Sequence, residues 1–364
     1  MNKKERFLTA IKGGTPDKVP YALISLYQNV QEAIIGHEIT LPVYNGLNNA
    51  GWLGSPTEEA KVEPVFCCIP ETAEKLNLDA MTIQVIPPMF VKKEIRGNDA
   101  CVAGGIIDSG NVLRQCEEAM PDPDDSKLLE EIKNMVDMCR DYEFAVGAKI
   151  RLGASPTLLS LGMDNIAMMI AEEDDTFERC IEMYTNWTHR FNKNLMELGF
   201  DYFWTADDIA YTKSMLISPV MFREYFKDRM KYAMEPIKKP FIYHSDGNYS
   251  LVLDDLIEIG VDAIHPIERG SIDQDWLLKN YKGKLAMVGN IDINHILFDA
   301  SVQEVYEDVR TRIETFGPGG GYVLADSNSV PGWCSPRNVI AMSEAVEKYR
   351  YIYPELFMDQ YSTK

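Results

Sequence analysis

Eight short apolar runs, separated by turns and amphipathic stretches, constrain what this chain can fold into more than any other feature. They are Val19–Ser25, Ala80–Ile86, Ala145–Arg151, Tyr202–Thr205, Phe241–His244, Ala263–Pro266, Leu285–Val288 and Tyr322–Ala325. The last five recur about every 20 to 40 residues, room for one strand, one helix and two loops each. Strands alternating with helices pair in parallel and need helical cover on the sheet. Eight such units predict an α/β fold, a (β/α)₈ TIM barrel with loop insertions in the N-terminal third. A barrel of roughly 250 residues tolerates such insertions. The 364 residues are therefore read as one barrel domain, 1–364, with 37–130 containing the insertions.

The intervening helices carry their own pattern. Ser250–Ile259 places Leu251, Leu253, Leu256 and Ile257 on one face and Asp254, Asp255 and Glu258 outward. Val302–Phe316 repeats it with Val305, Val309, Ile313 and Phe316, and the glycines at 317–321 end that helix. Residues 37–75 carry few periodic signals and predict an insertion over the barrel. Val91–Ile95 and Ile106–Val112 alternate as the two arms of an antiparallel ribbon would. Residues 119–130 read as a surface turn into a helix.

Charge and composition exclude some functions. With 56 acidic and 36 basic residues the net charge is −20, which repels a nucleic-acid duplex or an anionic membrane. No run of roughly 18 apolar residues offers a membrane span. The N-terminal MNKKERFLTAIKGG lacks an apolar leader core, so the expected location is the cytoplasm. Seven cysteines without a CxxC pair fit reduced thiols, of which Cys334 alone falls in a plausible functional loop.

Barrel enzymes carry their reacting groups just after the strands, and here those positions are polar. Asp207 and Asp208 follow the fourth run, His244, Ser245, Asp246 and Asn248 the fifth, and Glu268 the sixth. Asn290 and Asp292 follow the seventh, and Asp326, Ser327, Asn328 and Ser329 the eighth. Any one of these could simply cap the next helix; capping is the favoured role for Asp292, and a satisfied core position for His265. The cluster points further. His244-x-Asp246 has ligand spacing, and the adjacent Asp207 and Asp208 would repel one another unless a cation or a proton intervened. This predicts a divalent metal, Zn²⁺, held by His244, Asp246 and Glu268, with Asp207 or Asp208 as catalytic groups beside it. Two carboxylates working as acid and base without metal are the alternative. Tyr27, Asn290, Ser327 and Asn328 are candidate substrate contacts. Trp204, Tyr211 and Trp333 could join Tyr27 around an aromatic ring, or belong to the core.

Several ordered segments resemble the uroporphyrinogen decarboxylase superfamily, in its corrinoid-dependent methyltransferase branch. They are KKERFLTAIKGGTPDKVP at the N-terminus, LGFDYFWTADDIAYTKSMLISPVMFREYFKD at 198–228, PFIYHSDGNYSLVLDDLIEIGVDAIHPIE at 240–268, KLAMVGNIDINHILFDASVQEVYEDV, GPGGGYVLADSNSVPG and PRNVIAMSEAV. The resemblance implies a (β/α)₈ barrel. True decarboxylases of the superfamily bind a polycarboxylate with an arginine-bearing N-terminal segment. Here Tyr21–Asn29 has no arginine, which argues against that lyase activity. The methyltransferase branch implies zinc at a His-x-Cys motif and a later cysteine. His244 matches the histidine, Asp246 stands in the cysteine position, and the last loop offers Asp326–Ser329. An oxygen-rich site is harder than a sulfur-rich one and suits activating an ether rather than a thiol. The resemblance therefore implies an O-demethylase component that moves the methyl group of a methoxylated, aromatic substrate to the cobalt of a separate corrinoid-binding protein. That partner would cover the strand C-terminal face near 37–75 and Asn328–Cys334.

Overall fold

The computed structural model describes residues 1–46, 51–96 and 99–351. Seven parallel strands run in the order Ala80–Gln84, Ala145–Ile150, Tyr202–Thr205, Phe241–His244, Ala263–His265, Ala286–Val288 and Tyr322–Val323. The segment around Tyr21 and Ala22 closes the ring, with parallel bridges from Tyr21 to Leu324 and from Ala22 to Ala80. All eight runs read from the sequence thus lie in one (β/α)₈ barrel.

The interior follows from the two-residue period of a strand. Ala22, Ile24, Ala80, Ala145, Tyr202, Trp204, Ile242, Ala263, Ala286, Val288, Val323 and Ala325 form one apolar cluster inside the ring. Phe7, Ala10 and Ile11 of the first helix, Lys3–Ile11, join it and plug the N-terminal end. That helix begins with a capping box, Asn2 and Glu5 exchanging backbone hydrogen bonds. The alternate residues, such as Val146, Phe203, Tyr243 and Met287, pack against the outer helices. A buried ion network ties the plug to the chain ends: Asp79 accepts from Arg6 at 2.6 Å and Arg350 at 3.0 Å.

The insertions differ in detail from the sequence reading. The antiparallel ribbon is formed by Met89–Arg96 and Asp99–Gly105, and Trp52–Leu53 adds a parallel strand at its edge. Its second arm lies earlier than expected, because Ser109 starts a helix over Gly110–Ala119 that takes Val112 out of the strand reading. Val65–Phe66 pairs antiparallel with the second barrel strand. Residues 119–130 do turn into a helix, Ser126–Met138, capped by Asp125. Val305, Val309, Ile313 and Phe316 are the buried face of Val302–Phe316, as the periodicity predicts. The helix after the fifth strand departs from its reading. It opens with a 3₁₀ turn over Ser250–Val252, which rotates the face. Leu251 is therefore 66% exposed, while Asp255 is buried and ion-paired with Arg223 and Lys227 at 2.9 and 2.8 Å.

Gly147 marks where the interior is tightest. A Cβ there would meet the Tyr202 ring at 2.4 to 2.7 Å, and that ring is held by a 3.0 Å hydrogen bond to the Met81 carbonyl. Gly147→Ala is expected to destabilise the fold by about 1–3 kcal/mol, the usual range for overpacking. An unchanged thermal midpoint would show that the Tyr202 layer yields.

Candidate metal and active site

His244 ends the fifth strand on its inward-facing parity, and Asp208 and Asp246 follow the fourth and fifth strands. One ligand atom from each of these three lies within 4.8 Å of the others. His244 Nε2 is 3.5 Å from Asp208 Oδ1 and 3.6 Å from Asp246 Oδ1. The Asp246 N–H donates to Asp208 Oδ1 at 2.9 Å, which ties the two loops together. Asn328, after the last strand, donates to both oxygens of Asp246 at 2.8 and 3.0 Å.

A hydrogen-bonded relay sets the histidine's tautomer. His265 Nε2 lies 3.0 Å from the Asp326 carbonyl oxygen, which can only accept, so Nε2 carries hydrogen. His265 Nδ1 and His244 Nδ1 are 2.6 Å apart and share one proton. With both rings neutral the relay has one direction, and His244 donates from Nδ1. Its Nε2 lone pair is left facing Asp208 and Asp246. Burial above all, with the charges of Lys149 and Arg151, holds the His244 pKa well below its ordinary value. Metal-bound histidines commonly donate their second nitrogen in this way.

The two carboxylates open onto a recess set deep in the protein, with side chains 42% and 41% exposed. Burial raises the pKa of Asp208. Burial, then Asp208 and Glu268, pushes Asp246 up to about 8. A divalent cation fits this set: two oxygens whose charges repel and one bare imidazole nitrogen.

The other predicted residues take different places. Asp207 is fully buried and turns away from the recess, accepting from the N–H groups of Leu152, Ala154 and Ser155 at 3.0, 3.3 and 2.6 Å. It holds the start of the helix Ala154–Leu161, the capping role a loop aspartate often fills. Glu268 lies outside the close triplet, whose second carboxylate beside Asp246 is Asp208. Glu268 accepts from the Gly247 N–H at 3.2 Å and from Ser271 at 2.8 Å, so it steadies the loop that carries Asp246. Gly247 has φ +79°, and a Cβ there would strike the Tyr211 backbone at 2.2 Å. Asn290 is buried and donates to the Ile267 carbonyl at 2.8 Å, with its own oxygen unpartnered. Ser327 accepts from the Ile293 N–H at 3.3 Å. Tyr27 precedes the helix Gln28–Ile35 and meets Tyr44 edge-on at 5.4 Å. Of the four candidate substrate contacts, Asn328 is hydrogen-bonded to the triplet. Trp204 is core, fully buried against His265.

The uroporphyrinogen decarboxylase (URO-D) profile matches residues 114–349. This chain belongs to the URO-D family. A methylcobamide:CoM methyltransferase, MtaA, from Methanosarcina barkeri is 22% identical over 178 residues, 49% of this chain and 50% of that protein. The chain thus spans about half the length of the curated relative it matches. A solved structure, a methyltransferase from Methanosarcina mazei, superposes with a TM-score of 0.71 at 18% identity, covering 96% of this chain and 99% of that one.

In this URO-D family member no thiol stands with the triplet among the described residues. Cys334 is buried, donates to the Ile293 carbonyl, and its thiol is pushed up to about 12 by burial. Sequence reasoning missed the part His265 plays, because a histidine inside an apolar strand run looks like core. It also missed Lys149 and Arg151. Their signal was present: they continue the inward parity of Ala145 and Gly147, where a charge is out of place.

The raised Asp246 pKa has a sign that can be tested in metal-free protein. The folded state holds its proton up to about pH 8, whereas the unfolded chain releases it near the ordinary carboxylate value. Stability from this group is therefore present at low pH and lost as pH rises toward 8. Asp246→Asn should raise the thermal midpoint at pH 8 relative to wild type and leave it nearly unchanged at pH 4. Parallel midpoint curves for the two proteins in chelator would refute the assignment.

Proposed function

We propose that this chain is a zinc-dependent methyltransferase that moves the methyl group of a methoxylated aromatic compound to the cobalt of a separate corrinoid protein. The observation that carries this reading is the Asp208, His244 and Asp246 triplet at the barrel mouth, two hard oxygen donors with a bare imidazole nitrogen. The printed name of the Methanosarcina barkeri relative, a methylcobamide:CoM methyltransferase, supports corrinoid chemistry. The donor set supports an ether oxygen, rather than a thiol, as the group activated.

Asp208, His244 and Asp246 would hold the metal, which when bound supplies Lewis-acid polarisation of the ether oxygen. Asn328 fixes the Asp246 carboxylate, and His265 keeps the His244 lone pair aimed outward. No proton need be moved at the carbon, so the chain's task is alignment of the methyl group with an incoming nucleophile. Decarboxylation of a polycarboxylate fits poorly, because Tyr21–Asn29 lacks the arginine that the resemblance associates with such a substrate.

The partner is expected on the same face. Phe298 and Trp333, in the loops after the seventh strand and the eighth, are 46% and 43% exposed and meet edge-to-face at 5.3 Å. Exposed aromatic anchors of this kind suit a modest, transient interface on the order of 1,200 Å² or less. No helix among the described residues is long and apolar enough to cross a membrane.

Purified protein should contain roughly one zinc ion per chain, and His244→Ala should lose it. Asn328→Ala should lower metal affinity or methyl transfer roughly 10–100-fold, the usual cost of losing a partner that orients a ligand. A metal-free preparation with full demethylating activity would end the metal reading. Trp333→Ala should raise the KM for the corrinoid protein while methylation of free cob(I)alamin stays unchanged. Equal use of free cob(I)alamin and the carrier by wild type, with no complex between the proteins, would refute the docking face.

A further inference from the structure

Three lysine or arginine side chains are buried among the described residues: Arg6, Lys149 and Arg350. Arg6 pairs with Asp17 and Asp79, and Arg350 with Asp79 and Glu347. Lys149 has no carboxylate within ion-pairing distance among the described residues, although it is only 4% exposed. Its Nζ donates to Ser25 Oγ at 2.6 Å and lies 4.7 Å from the centre of the Tyr44 ring. An ammonium has three N–H groups, so among the described residues this leaves donors to spare. A buried charge without a partner is costly unless something supplies one.

Lys149 stands beside the proposed metal site. It is on the third strand, opposite Gln84 of the second in register, with the inward parity of Ala145 and Gly147. A chain of polar contacts joins it to the ligand triplet. Ser329 Oγ meets Ser25 Oγ at 3.2 Å, the Ser329 N–H donates to Asn328 Oδ1 at 2.7 Å, and Asn328 holds Asp246. The Lys149 charge also bears on Asp208, His244 and Asp326.

We propose that Lys149, with Ser25 and the Tyr44 ring, forms the subsite for a single carboxylate on the methyl donor. The inference rests on the methyl-transfer reading and narrows its substrate to a methoxylated aryl monocarboxylate. The spare ammonium hydrogens and nearby Ser hydroxyls suit a carboxylate. The Tyr44 and Tyr27 rings, edge-on to one another, form an aromatic wall beside it. One lysine matches one carboxylate, and the acids across the mouth repel a second.

Equilibrium binding of para-methoxybenzoate and its neutral isostere para-methoxybenzamide to the full chain tests this without any corrinoid protein. Wild type should bind the acid roughly ten- to hundredfold more tightly than the amide, as a charged hydrogen bond predicts. Lys149→Met should bring the acid down to the amide's affinity and leave the amide unchanged, and Lys149→Arg should keep part of the preference. If Lys149→Met fails to fold, Ser25→Ala should narrow the preference in the same direction. Equal affinity of wild type for acid and amide overturns the inference, as does a preference for the acid that survives in folded Lys149→Met. The two readings fail separately. Methyl transfer from neutral and acidic donors alike sinks the carboxylate subsite and keeps the methyltransferase. A Lys149-dependent preference for the acid in a protein that never methylates cobalt does the reverse.

Discussion

Successive residues of a barrel strand face opposite ways, and this alternation decides where every functional group of the protein can stand. Each strand delivers one residue in two to the interior. Lower in the barrel those residues are alanines, aromatics and branched aliphatics, packed onto the first helix. At the upper rim the same parity delivers Lys149, His244 and His265. The Trp204 ring, fully buried, lies 4.9 Å from His265 and separates the polar layer from the apolar one. A polar cluster on a dry floor gains electrostatic strength, because little water beneath it screens its charges.

That strength has a cost which the site manages in two ways. His244 and His265 satisfy one another and end on a backbone carbonyl, so two buried imidazoles leave a single lone pair for outside use. Asp208 and Asp246 have no such internal answer. Burial raises both pKa values, and Asp208 and Glu268 raise that of Asp246 further. Asp207, whose pKa burial also raises, is held differently. Beside the equally acidic Asp208, Asp207 accepts from three backbone N–H groups at the start of the next helix. Adjacent residues on a strand end point opposite ways, so one of a pair of aspartates serves the helix and the other the recess.

The eight strands were legible because burial on both faces forces apolar runs of characteristic length, and the later helices because their apolar period is clean. Leu251 was misread because a 3₁₀ turn shifts phase by a fraction of a turn that no residue type announces. The ribbon arm was misplaced for a similar reason: alternation over Ile106–Val112 is too short to outweigh a helix start at Ser109. At the site, His244 and Asp246 were legible from spacing. The choice between Asp207 and Asp208, and between Asp208 and Glu268, was not. It depends on which way a loop turns after its strand, and that is set by hydrogen bonds to distant backbone such as Leu152 and Gly247. His265 was correctly expected to be buried and satisfied; what satisfies it is His244, a partner aligned by strand register.

The positive and negative groups of the mouth are segregated rather than paired, and this has a chemical consequence. Lys149 and Arg151 come from the third strand, whereas Asp208, His244 and Asp246 follow the fourth and fifth. Arg151 spends hydrogen bonds on the Ala206 carbonyl and Ser155, which holds the fourth strand's loop and the carboxylates it carries in place. Lys149 is kept from the acids by Ser25, Ser329 and Asn328, an uncharged bridge that links the two sides without neutralising either. Direct ion pairs would have been the cheaper arrangement for folding alone. Keeping the charges apart preserves a field across the recess, positive at one wall and electron-rich at the other. On the proposed reading, such a field would orient a donor that has an anionic end and a cation-seeking oxygen.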